Sequence, residues 1–265
     1  MMALTNKGFE KLVEIMAKLR GEGGCPWDKA QTHESLKPFL IEEAYEVIDA
    51  IDLKNPEVLK EELGDLLLQI VFHSRIAEEE GRFNIYDVIE KICDKMIRRH
   101  PHIFGEVKAE TPEEVLKNWE DIKKEEKDFS SYAESMSELP EQLPALMKAY
   151  KVQEKAARVG FDWENVDGAF SKVQEELQEI QEVYKSEKSE KIKEEIGDLL
   201  FAVVNVARFL KVDPELALRD ATKKFIRRFK YIEDEAKKQS KDLRKMTLEE
   251  MDILWEEGKN KEKKF

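Results

Sequence analysis

Six carboxylates recur along this chain at a constant offset of 133 residues. Glu42, Glu43, Glu46, Glu61, Glu62 and Asp65 return as Glu175, Glu176, Glu179, Glu194, Glu195 and Asp198. Each copy reads Glu-Glu-x-x-Glu, then fifteen residues, then Glu-x-x-Asp. Residues three or four apart share one face of a helix. Glu43 and Glu46 therefore project together, as do Glu176 and Glu179. Glu62 and Asp65, and Glu195 and Asp198, do the same one helix later. Two antiparallel helices aim such a set at one point. Oxygen-only ligands converging in this way suit a hard divalent cation, Mg²⁺ with Mn²⁺ as substitute.

The surrounding pattern is helical throughout, and no alternating-strand pattern competes with it. Helices are expected near 5–20, 34–53, 56–79, 85–99 and 112–127, and again near 143–158, 166–185, 189–210, 213–238 and 247–261. Thr111-Pro112 and Asp213-Pro214 read as a capping residue followed by proline at the first helical position. The repeat extends past the acids. Gly64-Asp65-Leu66-Leu67 matches Gly197-Asp198-Leu199-Leu200, Lys95-Met96-Ile97-Arg98-Arg99 matches Lys224-Phe225-Ile226-Arg227-Arg228, and Trp119-Glu120 matches Trp255-Glu256. The expected organisation is all-α, with two tandem related helical domains at 1–127 and 143–265. The Ser-rich stretch 128–142 reads as a linker between them.

A Glu in so charged a chain is ordinarily a solvated surface group. The helix around Asp198 argues otherwise, because its apolar residues run almost all round it and predict burial. Glu195 and Asp198 share one narrow stripe of that helix. Glu62, Asp65 and Gln69 share the matching stripe in the first half. Carboxylates on a buried helix are expensive unless paired or bound to metal. A di-iron bundle would need Glu-x-x-His motifs. None of His33, His73, His100 and His102 stands three residues after a Glu, and the second half has no histidine.

Hydrophobic residues make up 41% of the 265 and charged residues 39%, which is enough for a core in each half beneath a charged surface. The net charge of −13 argues against binding a nucleic-acid polymer. Cys25 and Cys93 form no metal or redox motif. No signal peptide or membrane-length apolar run is visible. A soluble, cytoplasmic protein without a membrane partner is expected.

Gly24-Cys25-Pro26-Trp27-Asp28, Gln31-Thr32, the two acidic patterns, Arg98-Arg99-His100-Pro101-His102, Leu143-Pro144-Ala145-Leu146 and Val159-Gly160-Phe161-Asp162-Trp163 together resemble the MazG family of all-α nucleoside triphosphate pyrophosphohydrolases. The resemblance covers nearly the whole chain, and the doubled pattern is that of the two-domain form. It implies four-helix-bundle-like units that associate as dimers. It also implies Mg²⁺-dependent hydrolysis of NTPs and dNTPs to monophosphate and pyrophosphate. The family's metal ligands fall on Glu43, Glu46, Glu62 and Asp65, and on Glu176, Glu179, Glu195 and Asp198.

Basic residues fit that chemistry. Lys172 precedes Glu176 by four and Lys191 precedes Glu195 by four, so both lie one turn from the acids. Lys224, Arg227 and Arg228 in the second half, and Lys95, Arg98 and Arg99 in the first, are candidate triphosphate contacts. Trp255 and Trp119 fit either base stacking or anchoring of the last helix, and the resemblance favours nucleotide contact for Trp255. Trp27 and Trp163 read as packing anchors. Glu175 or Glu176, and Glu42 or Glu43, are candidates for activating water. Phe39 and Val58 stand where the second half has Lys172 and Lys191. The second half is therefore expected to be the competent site, and the first either uses Lys37 or Lys60 instead or is a structural or regulatory half. No Gly-x-x-x-x-Gly-Lys loop is present, which disfavours P-loop hydrolysis. Two other functions stay open: a helical interaction protein with vestigial sites, and a phosphohydrolase releasing single phosphates.

Overall fold

The computed structural model describes residues 8–127, 131–185 and 189–262, and the described residues contain helices and no strand. The chain divides into two compact units, Met1–Lys127 and Asp128–Phe265.

The first unit runs α1 (Phe9–Arg20), α2 (Pro26–Ala30), α3 (His33–Leu53), α4 (Pro56–Glu79), α5 (Ile85–Arg99), α6 (Pro101–Phe104) and α7 (Pro112–Lys127). Helices α3 and α4 are its long pair. They are joined by Lys54 in the left-handed conformation and by Asn55, whose side chain accepts from Glu57 N. Proline at the first position of α4 has its φ already set for the helix. The turn is so short that the two helices must run antiparallel, which puts Glu43 opposite Glu62 and Asp65. Thr32 and Ser35 cap α3 reciprocally, each hydroxyl accepting from the other's backbone N–H. Met16, Leu36, Val71, Phe72, Ile76 and Ile85 form the core that binds α1 and α5 to this pair. Burying one such side chain contributes about 1.5–3 kcal/mol.

The second unit runs α8 (Tyr132–Ser137), α9 (Ala145–Ala157), α10 (Val166–Val183), α11 (Ser189–Phe209), α12 (Pro214–Lys238), a 3₁₀ turn (Leu243–Lys245) and α13 (Leu248–Glu262). Here α10 and α11 are the long pair, and α9 packs on α11. Ile232, Ala236, Met246 and Leu254 join α12 to α13, with Trp255 against them.

Two features differ from the expectation. Of the stretch 128–142, residues 128–130 lie outside the described residues, and 132–137 form α8. Ser131 caps this helix, and Lys155 of α9 holds Ser135 at 2.7 Å. Secondly, α4 and α11 are not buried all round. Leu63 is 49% exposed and Leu200 50%, and Leu67, Ile70, Ile196 and Val203 are exposed with them. Each unit covers other sides of these helices with α1 and α5, or α9 and α12, and with the partner of the long pair. The remaining apolar side has no helix of its own unit against it.

Candidate active site

Each unit brings three carboxylates together. Ligand oxygens of Glu43, Glu62 and Asp65, and of Glu176, Glu179 and Glu195, lie within 4.8 Å of one another. The fourth expected member stands outside the triad in both units, and it differs between them. Glu46 is exposed in the first, yet close enough that its charge raises the pKa of Glu43 and Glu62. Asp198 is exposed in the second. The second triad is deeper: Glu176 is 3% exposed and Glu195 7%, whereas Glu43, Glu62 and Asp65 are half-buried.

Crowding the acids shifts their titration. Burial and then the Asp65 charge push Glu43 up, against a hydrogen bond from Gln69. Burial, then Glu46 and Asp65, push Glu62 up. Glu179 is pushed up first by its hydrogen bond to Glu195, since two carboxylates can share such a bond only with a proton between them. The Oε2 of Glu176 is buried with no hydrogen-bond partner. An oxygen-only donor set, mutual repulsion and an orphaned buried carboxylate oxygen all fit a divalent cation.

The cations around the triads are arranged differently in the two units. Lys172 donates to Glu176 Oε1 at 2.5 Å and to Glu175 at 3.0 Å. These bonds, to Glu176 foremost, hold its ammonium well above the usual lysine range. The matching Phe39 of the first unit instead meets the edge of Trp27, with ring centroids 6.0 Å apart. There a neutral amide approaches the acids from α4: Gln69 is buried and its Nε2 lies 3.5 Å from Glu43 Oε1. Its counterpart in the second unit is Ala202, which has nothing to donate. Lys191 is exposed on the first turn of α11, and Glu42 and Glu175 are exposed beside their triads. Lys37 and Lys60 are paired with Glu34 and Glu57.

The repeated arginines have partners that sequence reasoning missed. Arg98 and Arg99 both donate to Glu126, and Arg227 and Arg228 both donate to Glu262, at 2.6 and 2.8 Å in the second unit. Arg99 and Arg228 also lie over the rings of Trp119 and Trp255, each 5.5 Å from the centroid. Glu126 and Glu262 each stand seven residues after the Trp, so the repeat itself could have revealed them. The clasp fastens α7 to α5 and α13 to α12, and each Trp serves as its apolar floor. His100 meets Trp119 edge-on, and Phe225 packs on Trp255 at 5.2 Å. Lys95 is half-buried and Lys224 exposed. The side chain of Glu120 lies outside the described residues.

The clasp predicts an acid response. Hydrogen bonds from Arg99 and Arg98 lower the Glu126 carboxyl to about 2, and Arg227 and Arg228 lower that of Glu262. A depressed folded-state pKa gives stability that is present above the ordinary carboxylate pKa of 4.5 and is lost as pH falls toward about 2. The melting temperature of Glu126→Gln should therefore lie below that of the unaltered protein near neutrality, with the gap closing over that window. A gap independent of pH from 7 to 3 would show that the clasp acts through packing rather than charge.

A further pair escaped the sequence. His33 and His73 meet head-on in one plane, Nδ1 to Nδ1 at 2.8 Å, joining the start of α3 to α4. Burial, and secondarily the His33 charge, lowers the pKa of His73.

Paired antiparallel helices, an oxygen-only acid triad built twice and Lys172 seated against one of them define a class: an all-α domain with acid clusters able to hold a metal ion. The sequence comparisons narrow this to one family. The model of the MazG nucleotide pyrophosphohydrolase domain matches residues 31–104 and 167–232, which contain both triads. The chain belongs to the MazG family. It is 49% identical over 251 residues to the nucleoside triphosphate pyrophosphohydrolase/pyrophosphatase MazG of Thermotoga maritima, covering 95% of both chains. It is 43% identical over 257 residues to the nucleoside triphosphate pyrophosphohydrolase of Escherichia coli K12, covering 96% of this chain and 98% of that one. It is also 51% identical over 257 residues to the uncharacterized protein YabN of Bacillus subtilis, of which it spans 52%.

Proposed function

We propose that this chain hydrolyses nucleoside triphosphates and their deoxy forms to the monophosphate and pyrophosphate. The observation that carries the reading is the Glu176–Glu179–Glu195 triad with Lys172 already seated against it. Glu176, Glu179, Glu195 and Asp198 would hold Mg²⁺, or Mn²⁺ in its place, as would Glu43, Glu46, Glu62 and Asp65 in the first unit. The ion would supply charge neutralisation and polarisation of the phosphoryl oxygens. Lys172, Lys191 and Lys224 add positive charge along the triphosphate, and Arg227, Arg228 and Trp255 form the far wall. Glu175, exposed beside the triad, accepts a proton from water. The water oxygen bonds to phosphorus, the anhydride bond between the α- and β-phosphoryl groups breaks, and pyrophosphate leaves. No covalent intermediate is needed. Glu42, Lys95, Arg98, Arg99 and Trp119 have the corresponding places in the first unit.

Incubation with each NTP and dNTP, followed by resolution of NMP, NDP, pyrophosphate and phosphate, tests this reading. NMP and pyrophosphate in equal amounts are expected. NDP and phosphate would assign a phosphohydrolase, and metal binding without turnover would assign a vestigial site.

Dimer formation belongs to the same proposal. The exposed apolar positions of α3, α4, α10 and α11, among them Ile41, Leu63, Ile196 and Leu200, form faces that a second copy would cover. Light scattering across micromolar concentrations should give twice the chain mass. No described helix is long and apolar enough to cross a membrane, and a cytoplasmic setting completes the proposal.

A further inference from the structure

In the second unit one carboxylate holds two guanidinium groups, and it holds each by a single atom. Glu262 Oε1 accepts from Nε of Arg227 at 2.6 Å, and its Oε2 accepts from Nε of Arg228 at 2.8 Å. A guanidinium carries five N–H donors in a fixed plane. Its strongest grip on a carboxylate is the two-bond fork. Neither arginine takes that grip. Among the described residues, the Nη donors of both are left over.

A device that only fastened two helices would spend those donors. The first unit does so in part, since Arg99 gives both Nε and Nη2 to Glu126. The second unit keeps its Nη donors in hand and fixes the groups that carry them. The Arg228 side chain is 17% exposed, its guanidinium carbon lies 5.5 Å from the centroid of the Trp255 ring, and Glu262 holds its Nε edge. The plane is thus set on one face and one edge. Two cations share one anion, so the group retains a positive charge for an anionic ligand.

The position of the clasp along the unit matches that of the acids. Four residues, 210–213, turn the chain from α11 into α12. Glu195 lies fourteen residues before the end of α11, and Arg228 lies fourteen residues after the start of α12. At about 1.5 Å per residue, both stand roughly 21 Å from that joint. A helix pair folded back there brings the arginines level with the Glu176–Glu179–Glu195 triad.

We infer that Glu262 is a positioning residue for nucleotide binding: it holds Arg227 and Arg228 by Nε so that their Nη donors meet the phosphates. The inference rests on the nucleotide reading above and adds to it a residue that touches neither substrate nor metal. It assigns the Glu126 clasp of the first unit to fastening alone, because Arg99 spends Nη2 there.

α,β-Methylene-ATP keeps three phosphates and has a methylene group in place of the oxygen between the first two, so its binding is read without turnover. Gln has the shape of Glu, but its one carbonyl oxygen can serve only one of the two arginines fully. Calorimetry at saturating Mg²⁺ should show Glu262→Gln raising the dissociation constant roughly ten- to hundredfold, the worth of a charge-assisted hydrogen bond. Steady-state rates should show the same rise in KM for ATP with kcat within about twofold, the signature of lost binding rather than lost chemistry. Glu126→Gln should move neither constant. Added to Arg227→Gln/Arg228→Gln, Glu262→Gln should cause no further loss of affinity, since the carboxylate acts through the arginines.

Tighter binding by Glu262→Gln would make the carboxylate a competitor of the phosphates and overturn the inference. So would an unchanged dissociation constant, an equal effect of Glu126→Gln, or a fall in kcat with KM unmoved, which marks a mere fastener of α13. Failure of the unaltered protein to bind the analogue would sink the nucleotide reading and this inference with it. Analogue binding that ignores Glu262 would remove the inference and leave that reading standing.

Discussion

Glu176→Gln with Glu179→Gln should lower kcat with ATP and dATP by roughly 10²–10⁴, the range expected when charge stabilisation is removed from a phosphoryl site. Gln keeps the volume of Glu and removes the charge, so the pocket retains its shape. The fold should survive, because the part-exposed Lys172 ammonium keeps Glu175 when it loses Glu176, and the repulsion between Glu179 and Glu195 is relieved. Removing repelling charges from such a place is seldom destabilising. The matching pair, Glu43→Gln with Glu46→Gln, should have the smaller effect. Its triad is shallower and is approached by an amide and an aromatic ring in place of Lys172. Rates at saturating Mg²⁺, with circular dichroism to check folding, decide the matter. A dead first-unit variant beside a fully active second-unit variant would reverse the assignment, and Gln69 would then be the better electrophilic partner. Equal losses of about half would mean two independent sites.

Metal removal should be as severe. EDTA should abolish turnover, and Mg²⁺ or Mn²⁺ should restore it; full activity in a metal-free preparation would contradict the proposed mechanism. Stability should respond as well, with a sign that follows from the acids. Glu43, Glu62 and Glu179 titrate above 4.5 in the folded protein. Their contribution to stability is therefore fully present below that value and is lost as pH rises through their folded-state pKa. The metal-free melting temperature should fall over that interval. Saturating Mg²⁺ should offset the fall, since an ion at a hundred times its dissociation constant adds about 2.7 kcal/mol per site. A melting temperature indifferent to Mg²⁺ at pH 7 would argue that neither triad binds it.

The helices and the acid clusters were legible because both follow from local periodicity. Carboxylates three apart on a helix must share a face, and the constant offset of 133 residues tied the two halves together. What escaped depends on how distant segments meet. Helices α2, α6 and α8 are too short to show a period. Periodicity cannot say that Asp198 would turn outward while Glu195 turned in. The arginine clasp joins residues 27 to 35 positions apart, and nothing local announces it. The apolar circumference of α4 and α11 was visible, and so was its need for more cover than one helical unit gives; which residues stay uncovered within each unit, Leu63 and Leu200 among them, depends on how α1 and α9 dock and was not legible.

Those uncovered faces also bear on synthesis. The first unit ends at Lys127, and 138 residues follow it. At about 5–20 residues per second, synthesis of those 138 residues takes roughly 7–28 s. Throughout that interval Leu63, Leu67 and Ile70 face solvent beside nascent neighbours on the same message. Glu61, Glu62 and Asp65 stand among these apolar residues in sequence, on the other side of the helix, and charge within such a segment is how sequences keep exposed segments from aggregating. The acidity proposed to hold a cation in the finished protein would, on the ribosome, keep unfinished chains apart.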